Sequence, residues 1–230
     1  MKLKSLALVL TLLTVGPLVA QTACSRFYPM EEGTSFEYTN FNKKGKTEGV
    51  SSYEVKSVEN SGGSTTATMA ISLTDEKGKS IYETDYSFTC TGDKVTIDYE
   101  SLIPKQMLDQ FKDMEMEITG TDIELPNNLS VGQALQDANV QLSMSMSGIN
   151  MNTTVDMINR KVEKKETVTT PAGTFECFVI YSDTESKMMM AKQSFPSRMW
   201  LAEGVGMVKQ ETYKKNGDLF SSTELTKFSN

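Results

Sequence analysis

Ala67, Met69, Ile71 and Leu73 stand at every second position between Thr65 and Thr74, with small or polar residues between them. A strand turns successive side chains to opposite faces, so this spacing describes a half-buried β-strand and not a helix. The alternation returns along most of the chain. Phe36, Tyr38 and Asn40 share a face, as do Tyr53 and Val55, then Tyr86, Phe88 and Cys90, then Val140, Leu142, Met144 and Met146, then Phe175, Cys177 and Val179. Short turn clusters separate the runs: Asn42 to Lys46, Asn60 to Ser64, Asp75 to Lys79, Gly92-Asp93, Pro171-Ala172-Gly173 and Lys215-Asn216-Gly217-Asp218. Connections this short join antiparallel neighbours, because a parallel pair needs a crossover of about a dozen residues or more.

The expected fold is therefore mainly β: an antiparallel meander curled into an open barrel or clam-like sheet, with one short helix. Curling follows from width, since a flat sheet of this many strands exposes long edges. The helix is expected from about Pro104 to Asp113, where Met107, Leu108 and Phe111 recur at helical spacing behind a proline suited to a first turn. Val131 to Ala138 reads equally as a turn of helix or an irregular loop. The interval from Met188 to Trp200 shows no strong strand pattern and is the place to look for function.

Residues 1–20, extending as far as 23, read as a secretion leader. Lys2 and Lys4 precede an apolar run from Leu6 to Val15, and Gly16-Pro17 leads to the small-residue context Leu18-Val19-Ala20. That run is too short for a transmembrane helix, and no transmembrane segment is expected in the mature chain. Residues 24–230 read as a single β-rich domain, with no Pro- or Ser-rich linker dividing it. The expected location is exported: periplasmic, or tethered to the outer membrane if Cys24 carries a lipid. The preceding Gln21-Thr22-Ala23 places a polar residue where a lipidation motif has an aliphatic one.

The formal net charge is −7, and removing the leader takes two lysines and no acid. This argues against nucleic acid or an anionic membrane surface as partner. The chain contains no histidine, which excludes Ser-His-Asp and Cys-His catalysis and His-ligated zinc. No enzyme activity, cofactor or metal is expected. Three cysteines enter an oxidising compartment. Cys24 pairing with Cys90 would pin the mature N-terminus to the sheet and is favoured; Cys90 pairing with Cys177, beside a lipidated Cys24, is the alternative.

Methionine is the compositional outlier, at 15 residues. Flexible thioethers suit an adaptable apolar surface. Met144, Met146, Met188, Met190 and Trp200 are accordingly the candidate residues for holding a lipid or other apolar small molecule, weighed against ordinary core packing. Cu(I) ligation by Met-x-Met pairs is weaker, since each pair continues an apolar strand face. The acid pairs Asp98/Glu100, Glu115/Glu117 and Asp122/Glu124 lack a calcium-loop pattern and read as solvated faces. The alternative function is a structural or assembly role, binding an envelope protein through a sheet edge or the Trp200 patch.

Several of these stretches together resemble the TapB-like family. They are Arg160-Lys161-Val162, Glu166, Thr169-Thr170-Pro171-Ala172-Gly173-Thr174-Phe175-Glu176-Cys177, Trp200-Leu201-Ala202-Glu203-Gly204-Val205-Gly206-Met207-Val208 and the closing hairpin. The likeness also touches Cys24 to Gly33 and Cys90 to Tyr99. It implies an antiparallel β fold in the envelope of Gram-negative bacteria, and it carries over no catalytic residue.

Overall fold

The computed structural model describes residues 24–100, 115–146, 149–188 and 191–230. Among them every named element is a strand: β1 (Ser35–Asn42), β2 (Thr47–Ser61), β3 (Ser64–Asp75), β4 (Ser80–Thr91), β5 (Lys94–Ile97), β6 (Glu115–Thr121), β7 (Ile123–Pro126), β8 (Ala138–Met146), β9 (Ile149–Thr170), β10 (Gly173–Met188), β11 (Ala191–Ala202), β12 (Gly206–Tyr213) and β13 (Leu219–Ser229). The helix expected from Pro104 to Asp113 and the leader both lie outside the described residues. Contrary to its patternless reading, most of the interval from Met188 to Trp200 is strand: β11 pairs with β10 from Met188↔Ala191 through Cys177↔Ala202.

One 13-stranded antiparallel sheet runs in the order β6-β8-β9-β10-β11-β12-β13-β1-β2-β3-β4-β5-β7. Its two edge strands are consecutive in the chain, separated only by Asp122. The sheet thus curls into a nearly closed barrel.

A connecting loop seals the seam. β8 pairs only with the first part of β9, from Ala138↔Met157 to Met146↔Ile149. Beyond that point the β7–β8 connection takes over: Val162 donates to Gln133 O at 2.9 Å, while Gly132 and Leu135 donate to Val162 O and Arg160 O, each at 2.8 Å. The stretch from Val131 to Ala138 is therefore irregular backbone that behaves locally as a strand. Arg160, 6% exposed, donates to the carbonyls of Gln136 and Glu124 and so ties β9 to β7 across the seam. Asn159 at φ 56° absorbs the adjacent bulge, and its amide donates to Asp183. Asparagine tolerates the left-handed region better than most residues.

Two buried clusters fill the interior. Phe36, Tyr38, Val55, Ala67, Met69, Phe88, Cys90, Val95 and Leu225 form the first, from the β1–β5 wall and β13. Phe27, Leu125, Leu129, Leu135, Val162, Phe178, Ile180 and Leu201 form the second. Tyr28 packs against both. Phe27 and Tyr28 belong to no strand. They lie on the segment Cys24 to Met30, which enters the barrel as a plug. Cys24 is bonded to Cys90, as favoured above, and Cys177 is free and buried. Asn127 clasps the segment by donating to Cys24 O and accepting from Arg26 N. Gly204 donates to Arg26 O at 2.9 Å. Gly206, at φ +88°, lets the Tyr28 ring approach to 3.3 Å of where a β-carbon would stand, which gives the Gly-Val-Gly stretch a packing role.

A third cluster lies on the opposite face of β10 and β11. Cys177, Val179, Trp200 and Ala202 join Val208, all from adjacent strands. Strand alternation sets this cluster on the face opposite Phe178 and Leu201, and Phe175 and Val205 pack against both it and the first cluster.

Candidate ligand groove

Five neighbouring strands contribute three adjacent rungs to a groove of about 1180 Å³. The middle rung runs Phe228, Phe36, Tyr53, Ile71, Thr84 across β13, β1, β2, β3 and β4. The flanking rungs are Lys227, Glu37, Ser52, Ser72, Glu83 and Ser229, Ser35, Glu54, Ala70, Asp85. Pleating turns the middle rung toward the interior, where Phe36 is 6% exposed within the first cluster, and turns the flanking rungs to the other face. Phe36, Tyr53, Phe228 and Ala172 all line the groove and all belong to or pack against that cluster, so the groove opens on the face that carries these rings, with the flanking rungs as its borders. At a spacing of about 4.8 Å, five strands give the groove a reach of about 19 Å across the sheet. Ala172, in the turn between β9 and β10, also lines it.

Aromatic packing stiffens this face. The rings of Phe36 and Phe228 stack with centroids 6.1 Å apart, and Phe36 lies 5.9 Å from Tyr53. Burial, then the neighbouring Tyr82 and Tyr28, push the Tyr53 hydroxyl up to about 12, so it stays neutral. Two ion pairs stand on the walls: Lys227 to Glu37 at 3.0 Å and Lys56 to Glu54 at 3.3 Å.

The candidates drawn from the sequence lie elsewhere and are not brought together. Met144 is half-buried on β8, opposite Met116 on β6 and Met151 on β9. Met146 and Met188 end β8 and β10, and their side chains, like all of Met190, lie outside the described residues. Trp200 pairs with Val179, nine positions along β10 from Met188, or about 30 Å at the rise of a strand. It is buried in the third cluster, its indole N–H donates to Glu166, and the Lys209 ammonium sits 5.2 Å from the ring centroid. The hydrogen bond from Lys164, then the one from Trp200, hold the Glu166 carboxyl below its usual range.

The paired acids serve the sheet. Glu124 pairs with Lys94, Asp122 accepts from Tyr99 N and Asp98 accepts from Glu100 N. Among the described residues no group of three His, Cys, Asp or Glu is placed to hold a metal ion, and no helix is long and apolar enough to cross a membrane.

The groove was missed because strand alternation marks Phe36, Tyr53 and Ile71 alike as core, although Ile71 and Tyr53 are only partly buried.

Thirteen antiparallel strands around an inserted N-terminal segment define the class: a plugged, nearly closed β-barrel. The chain belongs to the DUF3108-like family, whose match spans residues 31–225. No curated protein sequence matches it. Two crystal structures share the fold. One is of a Bacteroides fragilis protein described as exported and as having a YmcC-like fold, with TM-score 0.71 and 18% identity, covering 90% of this chain and 100% of that one. The other is of a Parabacteroides distasonis protein described as a lipoprotein, with TM-score 0.71 and 24% identity, covering 90% and 99%. At these identities the likeness is one of fold.

Proposed function

We propose that this is an exported, non-catalytic binding protein of the TapB-like kind, and that its ligand is a small amphipathic molecule lying in the groove across β13, β1, β2, β3 and β4. The observation that carries the reading is the groove itself, an open volume of about 1180 Å³ whose lining combines Phe36, Tyr53, Ile71 and Phe228 with serines and charged residues, a mixed polarity. A bare acyl chain inside the barrel is a poorer fit, because Phe27 and Tyr28 occupy that place. The absence of histidine supports a role without acid–base catalysis near neutral pH.

Export is supported by the Cys24–Cys90 disulfide, which belongs to an oxidising compartment, and by the descriptions of the two fold relatives. A lipid thioether at Cys24 would need the same sulfur, so a form tethered there lacks this disulfide.

The test is titration calorimetry with a panel of single-chain amphiphiles, comparing the native protein with Ile71→Trp and Thr84→Trp. Saturable binding by the native protein that both variants abolish is expected. Equal binding by all three, or none by the native protein, overturns the reading.

A further inference from the structure

We propose that the segment from Cys24 to Met30 is a displaceable plug, and that opening the Cys24–Cys90 bond releases it and uncovers an apolar chamber between the two interior clusters. The chamber would take a small apolar molecule of about the bulk of the two rings it loses. This goes beyond the groove and does not rest on it.

The argument begins with what the plug touches. Phe27, fully buried, meets its ring partner Phe178 edge-on at 5.9 Å and belongs to a cluster drawn from β7, the β7–β8 connection, β9, β10 and β11. Tyr28 lies 5.5 Å from Phe88 on β4. These two residues therefore span the barrel, and without them opposite walls lose their common filler. Yet no ladder joins the segment to a strand. Apart from the disulfide it is held by the Asn127 clasp, the Gly204 N–H and an exposed ion pair from Arg26 to Glu203 at 2.8 Å. The ion pair is exposed and contributes little, and the Asn127–Cys24 bond is part-buried, so the burial of Phe27 and Tyr28 is the main non-covalent hold on the segment. The barrel closes independently of the plug, through the Gly132–Val162, Gln133–Val162 and Leu135–Arg160 hydrogen bonds.

The covalent step is ordinary exchange. A dithiol reductant attacks one sulfur, the mixed disulfide resolves within the reductant, and Cys24 and Cys90 leave as thiols while the reductant becomes the disulfide. Cys177 does not intercept it, being buried in the third cluster with its thiol pushed up to about 11 by burial.

The lone tryptophan supplies an internal control. Trp200 sits on the face of β10 and β11 opposite Phe178 and Leu201, so its emission reports the integrity of that wall. The experiment compares oxidised, dithiothreitol-reduced and reoxidised protein, together with Cys24→Ser/Cys90→Ser, for uptake of the neutral dye N-phenyl-1-naphthylamine. Amide exchange at Gly204 and Val162 is followed in parallel. Reduced and double-serine proteins are expected to bind dye at least tenfold more tightly, with Gly204 exchange accelerated, Val162 still protected and Trp200 emission unmoved. Reoxidation should restore exclusion. No gain in dye binding overturns the proposal, and so does a gain accompanied by a red-shifted Trp200 or by equal loss of protection at Val162.

Discussion

The two faces of β10 bury apolar side chains by different means. Inward, Phe178 and Ile180 are covered by a segment borrowed from the N-terminus, with Phe27 as its largest contribution. On the other face, Cys177 and Val179 lie beside Trp200 with Phe175 and Val205 packed against the cluster, and Lys209 sits over the Trp200 ring. A single curled sheet can thus hide both its faces: one needs a non-local insertion, the other uses side chains of its own strands and turns, with Lys209 laid over the Trp200 ring.

The comparison breaks most sharply at Phe27. Phe27→Ala empties the inward face and is expected to cost about 3–5 kcal/mol in urea denaturation; a loss below ~1 kcal/mol would mean the walls collapse onto each other and the plug is dispensable. Next, Cys24→Ser closes no loop in the unfolded chain and should cost about 2–4 kcal/mol, measured as a lower urea midpoint at unchanged m-value. A fall in m-value instead would place part of the effect in a loosened native barrel.

Arg160→Ala should cost about 1–3 kcal/mol by removing the part-buried, charge-assisted hydrogen bonds to the Gln136 and Glu124 carbonyls, with faster amide exchange at Val162 as its local signature. Unchanged exchange there would show that the loop seals the seam without the guanidinium.

The smallest effect belongs to the Trp200 face. Glu166 is about a third exposed, so Glu166→Gln is expected to cost under ~1 kcal/mol. Its carboxyl is held below the usual range, so the stabilisation it gives is complete above the unfolded-state value and is lost as pH falls through the lower, folded value. Trp200 emission, followed through acid titration, should therefore change below the ordinary carboxylate range in the native protein. In Glu166→Gln that step should be absent; its persistence would assign it to another group.

Much of the fold was legible because its causes are local. Alternation at Ala67, Met69, Ile71 and Leu73 and the turns at Gly45, Gly78 and Gly217 specify strands and hairpins within about ten residues of each other. The candidate site was far less legible. Ile71 obeys the same alternation as Met69, yet Met69 is 1% exposed and Ile71 lies along the groove. What separates them is what arrives from elsewhere in the chain. β11 was missed for a related reason: Lys192, Gln193 and Ser194 carry no apolar alternation, and the strand is held by its ladder to β10.

By itself the sequence determined an antiparallel meander, its turn positions, the classes of chemistry that a chain without histidine forgoes, and a preference for pairing Cys24 with Cys90. Tertiary structure alone decided that the edges meet at Asp122, that a loop and Arg160 close the seam, that Phe27 fills the barrel and that Trp200 sits on the face opposite Phe178. Alternation acts between neighbours along one strand, whereas closure depends on twist and bulges accumulated over thirteen strands. No short stretch of residues contains that sum.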